Sequence, residues 1–136
     1  MEYIRSDRIY INMKLQKISA ILIWSEDYEA LSKWYMEKLG ASIIEEIHHP
    51  NDTGVGLSIG ESYLWIGKHS EVHGKSKDPY RIMFNITVDS VSQTYKELVG
   101  SGVEFIADPF KAFTFDKYFA TFKDLDGNIL QIIGNE

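Results

Sequence analysis

The sequence contains no cysteine. That absence excludes disulfide cross-links, thiolate metal ligands and a thiol nucleophile, and it agrees with a reducing compartment. Long apolar runs are missing too, since none approaches the ~20 residues that a membrane-spanning helix needs. The opening stretch MEYIRSDRIYINMKLQ is broken by charges and lacks the continuous apolar segment of a secretory signal, so a cytoplasmic location is expected. Basic residues are in the minority, 14 Lys and Arg against 20 Asp and Glu, for a net charge of −6. They form no dense run, which argues against nucleic acid as a partner. The one Gly-x-Ser-x-Gly string, GLSIG at 56–60, runs into a hairpin turn and not a strand-to-helix elbow, and no phosphate-cradling glycine loop occurs, so nucleophilic catalysis has no support.

What remains is the composition of one soluble globular domain: 136 residues, 44% hydrophobic and 25% charged. Its organisation is repetitive. In KISAILIWSEDYEALSKWYMEKLGASIIEEI, a strand over Ile18 to Trp24 precedes a helix start at Ser25-Glu26-Asp27, where acids sit near the positive end of the helix dipole. A helix over Asp27 to Leu39 is predicted, stopped by Gly40, with a strand at ASIIEEI beyond it. TGVGLSIGESYLWIGKH then reads as a hairpin turning at Gly60-Glu61. RIMFNITVDSVSQTYKELVGSGVEFIADP repeats the order, with a strand to Val88, a helix over Ser90 to Gly100 and a strand at VEFIA. A second hairpin, KYFATFKDLDGNILQIIG, follows. Equivalent positions lie about 63 residues apart, the mark of an internal duplication.

The modules run over about 17–68 and 81–134, joined by the polar, glycine- and proline-punctuated loop KHSEVHGKSKDPY. Residues 1–16 belong to neither. The alternation of Ile9, Ile11, Met13 and Leu15 marks either an added strand or arm, or a dispensable lead-in to a natural start at Met13.

SEDYEALSKWYMEKLGA and FKDLDGNILQIIG, at the two ends of this duplicated unit, resemble the helix and the terminal hairpin of the vicinal oxygen chelate superfamily. That group includes glyoxalase I, extradiol dioxygenases, fosfomycin-resistance enzymes and bleomycin-resistance proteins. The resemblance covers about Lys17 to Gly134. It implies an α+β fold of two tandem βαβββ modules, a half-open curved mixed sheet around a cleft with helices outside, and pairing as a homodimer. Metal-dependent members hold a divalent ion on four side chains, and those positions fall here on Ala20, Trp65, Met83 and Gln131. Alanine and tryptophan offer no donor and methionine only a soft thioether, so only the Gln131 amide oxygen suits such an ion. The resemblance is therefore to a member without the metal, and no cofactor is expected.

His48, His49, His69 and His73 do not restore a metal site: His48-His49 ends a strand before Pro50, and the i, i+4 pair His69 and His73 lies in the polar connector, with no helix to put both rings on one face. Asp124, Asp126 and Gly127 serve the hairpin turn, with Gly127 at positive φ. Gln131 is either a cleft amide or an ordinary polar strand residue. Aromatics are abundant, at 13%. By strand alternation Trp24 shares a face with Ala20, Tyr63 with Trp65, and Asn85 with Met83. These rings either fill the core or line a pocket. Phe113 and Phe115 form either a lid, with Lys111, Asp116 and Lys117 at its rim, or a strand edge blunted by lysine.

The expected site thus comprises Trp24, Tyr63, Trp65, Met83, Asn85, Phe113, Phe115, Tyr118 and Gln131, binding a small aromatic or amphipathic molecule without a metal. The alternatives are a metal-independent lyase or isomerase using Asp116, Tyr118 or Lys111, or a regulatory interaction domain whose cleft is filled by its own side chains.

Overall fold

The structure is a computed structural model that describes residues 14–136. The arm expected at Ile9, Ile11 and Met13 lies outside the described residues. Residues 14–20 form no regular element, and Leu15 is exposed. The first module comprises β1 (Ile21–Ser25), α1 (Tyr28–Leu39), β2 (Ser42–His49), β3 (Asp52–Ile59) and β4 (Ser62–Lys68). The second repeats it with β5 (Phe84–Ser90), α2 (Val91–Gly100), β6 (Glu104–Lys111), β7 (Tyr118–Lys123) and β8 (Ile129–Asn135). Both helices fall where their periodicity places them. Asp27 and Ser90 are their N-caps, accepting the backbone N–H of Ala30 and Gln93 at 3.1 and 3.2 Å. The first strand begins later than the expected Ile18 and ends at Ser25.

Each module builds its own four-stranded mixed sheet, ordered β1-β4-β3-β2 and β5-β8-β7-β6, with the first pair parallel and the others antiparallel. The curved mixed sheet implied by the resemblance is therefore two sheets in sequence, neither of them a closed barrel. Alternation divides each sheet into a face under its helix and a face away from it. Under α1, Leu31 and Tyr35 pack with Val55, Leu57, Leu64 and Ile66. Under α2, Val91 and Leu98 pack with Ala120, Phe122, Leu130 and Ile132, and the two groups form one continuous core. Among the described residues no helix is long and apolar enough to cross a membrane.

The modules are tied together by a buried polar junction. Asp124, 6% exposed, starts the β7–β8 turn. Its Oδ1 accepts the backbone N–H groups of Asp126 and Asn128, both at 2.9 Å, and its Oδ2 accepts the Asn128 side-chain amide at 2.9 Å. Oδ2 also accepts the Tyr35 hydroxyl from α1 at 2.7 Å, a bond between residues 89 apart in sequence. Beside it, the buried Ser25 hydroxyl at the end of β1 donates to Asp126 Oδ2 at 2.6 Å, and the Ser76 N–H donates to the Asp126 carbonyl at 2.8 Å. Gly127, at φ 83°, closes the turn in a region a side chain would resist. Asp124 and Asp126 therefore serve the turn as expected, and in addition they hold the second module to the first.

Burial raises the Asp124 carboxyl above its ordinary value, while the bonds from Asn128, Tyr35 and the backbone act in the opposite direction. The folded protein therefore takes up the Asp124 proton more readily than the unfolded chain does. This group's contribution to stability is full below its unfolded value and is lost as pH rises through its folded one. Tyr35→Phe removes a bond that favours the ionised carboxylate. It should cost about 1–3 kcal/mol at neutral pH, and the deficit should shrink as pH falls through the Asp124 transition. Urea titrations of both proteins across that range check it, and a deficit that grows towards acid would contradict the assignment.

Candidate functional site

The face of the first sheet turned away from α1 carries a row of aromatic rings resting on glycine. Strand register aligns Leu22, Trp65, Gly56 and Glu45 across the sheet, and in the next row Trp24, Gly67, Gly54 and Ile47. Trp65 is 7% exposed, although it lies on the face without a helix. Backbone lies beneath it, and Leu22, Trp24, Ile47 and Tyr63 stand around it. A Cβ on Gly54 would stand 2.7 Å from Trp65 Cζ2, and one on Gly67 would overlap the indole nitrogen and stand 3.0 Å from Trp24 Cζ3. Both rings can lie down on the sheet because these positions have no side chain.

Tyr63 reaches across β3 in the same way. Its hydroxyl donates to Glu45 Oε2 on β2 at 2.6 Å, over Gly56, where a Cβ would come within 2.9 Å of Glu45 Cγ. Burial, followed by the bond to Glu45 and the charges of Glu45 and Asp52, pushes the Tyr63 phenol up to about 12. Leu22, Trp24, Ile47, Asp52, Tyr63 and Trp65 together enclose an open depression of about 310 Å³. Trp24 also meets the His69 ring edge-on, 5.2 Å between centroids, at the border of a larger and more polar hollow.

Trp24, Tyr63 and Trp65 thus come together, and their predicted partners lie elsewhere. Asn85, Gln131 and Thr121 form one row across the second sheet, on its face away from α2, and Gln131 Nε2 donates to Thr121 Oγ1 at 3.1 Å. Asn85 lines a separate cavity of about 320 Å³ beside Ile21, Leu64 and Phe84, where the modules adjoin. Met83 is half-buried just before β5. Phe115 meets Phe119 edge-on at 5.9 Å, Phe119 stacks with Phe110 at 5.7 Å, and Phe113 is fully exposed. Tyr118 alternates with Phe119, so it points to the α2 side and packs against the core. Glu45, Asp52, Leu22 and Ile47 were missed by sequence reasoning. Alternation from Gly54 places Asp52 on the ring-bearing face, but Glu45 lies beyond a β-bulge between Ile43 and Glu45 that shifts the parity.

The donor set does not fit a divalent metal. Ala20 has no donor, Trp65 carries its indole over Gly54 and Gly67, Met83 offers only a thioether, and Gln131, whose Nε2 donates to Thr121, leaves a single amide oxygen. Among the described residues no three His, Asp or Glu side chains converge. His49 and His69 each accept a backbone N–H at Nδ1, from Asn51 and Glu71, both at 3.0 Å.

Two duplicated βαβββ units, each leaving one sheet face open, define the glyoxalase-like class of the vicinal oxygen chelate fold. Residues 17–132 match the Glyoxalase/Bleomycin resistance protein/Dioxygenase superfamily, and the chain belongs to that family. Solved structures with the same fold include SMU.1112c (TM-score 0.75, 22% identity, 88% of this chain and 99% of that one). A glyoxalase family protein from Enterococcus faecalis aligns at TM-score 0.74 and 23% identity over 89% of this chain and 99% of its own. FosX, a genomically encoded fosfomycin resistance protein from Listeria monocytogenes, aligns at 0.70 and 12% over 90% and 96%. At these identities the likeness is one of fold. Among curated proteins no sequence matches this chain.

Gly67→Ala tests the ring floor. The added methyl forces Trp65 and Trp24 to lift, so tryptophan emission should shift to the red in a protein that remains folded, at a cost of about 1–3 kcal/mol. An unchanged spectrum would place the rings elsewhere.

Proposed function

We propose that this protein is a metal-independent small-molecule-binding protein of the glyoxalase/bleomycin-resistance type, a cytoplasmic homodimer that sequesters or carries an aromatic or amphipathic compound. Trp65 carries the reading. At a position that holds a metal ligand in metal-dependent members, this chain has an indole laid flat over two glycines, facing an open depression. A flat aromatic floor with few polar groups suits apolar recognition of a ring at low entropic cost. The acid–base candidates give catalysis no comparable support. Lys111 and Asp116 face one another at 3.8 Å on the surface and Tyr118 packs on the core.

The separation of the two half-sites supports the dimer. The first sheet's open face holds the rings and the second sheet's open face holds Asn85, Gln131 and Thr121. A second copy pairing its second module with this first module would complete one site from both, burying exposed Leu22 and Phe115.

A thermal-shift screen of aromatic metabolites and antibiotics should yield hits, since a ligand at 100 times its Kd adds about 2.7 kcal/mol. Trp65→Ala should weaken a hit by about tenfold, the loss of a stacked ring and its buried area, while the circular dichroism spectrum is kept. If the variant unfolds, the ring belongs to the core and the depression is no site. Silence across the screen would favour an interaction domain. Zn, Ni, Mn and Fe should be substoichiometric in protein purified without chelator, and one tightly held metal per chain would overturn metal independence.

A further inference from the structure

Glu45 and Asp52 stand at the Trp65 depression without a basic partner. Asp52 lines it directly, and Glu45 occupies the row of Trp65 and Gly56. Among the described residues neither carboxylate has a Lys, Arg or His nitrogen within ion-pair distance. Tyr63 donates one hydrogen bond to one oxygen of Glu45. A carboxylate offers about four acceptor sites, so most of its capacity stays open. The raised Tyr63 phenol registers the same negative potential, since both carboxylates contribute to it.

The nearby basic side chains do not cancel this charge. Lys68 at the end of β4 lines the polar hollow next door together with Asp52, but its ammonium is not within ion-pair distance of Asp52 or Glu45. His49 lies opposite Asp52 and His69 lies beside Trp24. Each turns Nδ1 to a backbone N–H, and neither ring comes within ion-pair distance of Glu45 or Asp52. The depression therefore combines a flat indole floor with a negative edge.

We infer that this depression selects a planar organic cation, its ring packed against the half-buried Trp24 and the Trp65 beside it, and its positive charge turned towards Glu45 and Asp52. The inference rests on the reading of the depression as a ligand site and adds the ligand's charge to it. Indole is the most favourable aromatic face for a cation, and two carboxylates at the rim repel an anion of the same shape. Neutral rings gain the stacking alone.

Three probes of one ring system separate these terms: N-methylacridinium, acridine and acridine carboxylate, titrated against the intact protein by tryptophan quenching at neutral pH. N-methylacridinium should bind about tenfold tighter than acridine, and acridine carboxylate more weakly than either. The double variant Glu45→Gln, Asp52→Asn should lose most of the preference for the cation and keep its affinity for neutral acridine. Raising the salt concentration should weaken the cation selectively. Equal binding of all three probes, or a preference that survives in the double variant, overturns the inference while leaving the site in place. If no probe binds and Trp65→Ala matches the wild type in every titration, both the inference and the site fall together.

Discussion

The bond from Tyr35 to Asp124 fixes how two modules that share one core are set against each other. The two sheets share no hydrogen-bonded strand pair, so the β-ladders cannot set the position of one module against the other. The apolar core is continuous between them, but hydrophobic contact is non-directional and tolerates small rotations. A phenol from α1 meeting a buried carboxylate at the head of the β7–β8 turn does not. Every lone pair that Asp124 uses is committed to a specific donor, and a displaced donor would leave a buried polar group unpaired. Ser25 and Asp126 repeat the tie at the end of β1, the strand that carries Trp24 into the site.

Within that frame the open face of the first sheet is shaped by subtraction. Gly54, Gly56 and Gly67 occupy positions where side chains would stand upright and hold the rings apart. Their absence lets Trp65 and Trp24 lie down and lets Tyr63 cross β3 to reach Glu45. Interior glycine weakens a strand. Here that cost falls on the central pair β3 and β4, which the helix side reinforces with Val55, Leu57, Leu64 and Ile66. One sheet thus divides its work between a tightly filled face and a face kept flat. That flat face of indole and phenol is edged by carboxylates, and among the described residues it gathers no three donors of the kind a hard metal ion takes.

The duplication, the two helices with their caps and the βαβββ order were legible in the sequence, because they depend on local periodicity and local hydrogen bonds. Asp27 and Ser90 bind backbone groups a turn away, and Leu31 and Tyr35 recur at a helical interval. Trp24, Tyr63 and Trp65 could be assigned to one face because strand alternation is also local. Tyr118 shows where that reasoning stops, since its face depends on which parity of β7 meets α2, and Phe119 took the open side. Glu45 was hidden by a bulge that no residue pattern announces.

The sequence by itself therefore determined the secondary elements, their repetition and the lack of donors at Ala20, Trp65 and Met83, since each follows from residue identity and near neighbours. Tertiary structure alone decided that Asp124 joins the modules, that Trp65 lies flat, and that Glu45 and Asp52 border it while Asn85 and Gln131 do not. Those outcomes depend on pairing between strands and helices far apart in the chain. The energy of such a pairing belongs to the packed whole, where a missing Cβ on one strand sets the tilt of a ring on the next.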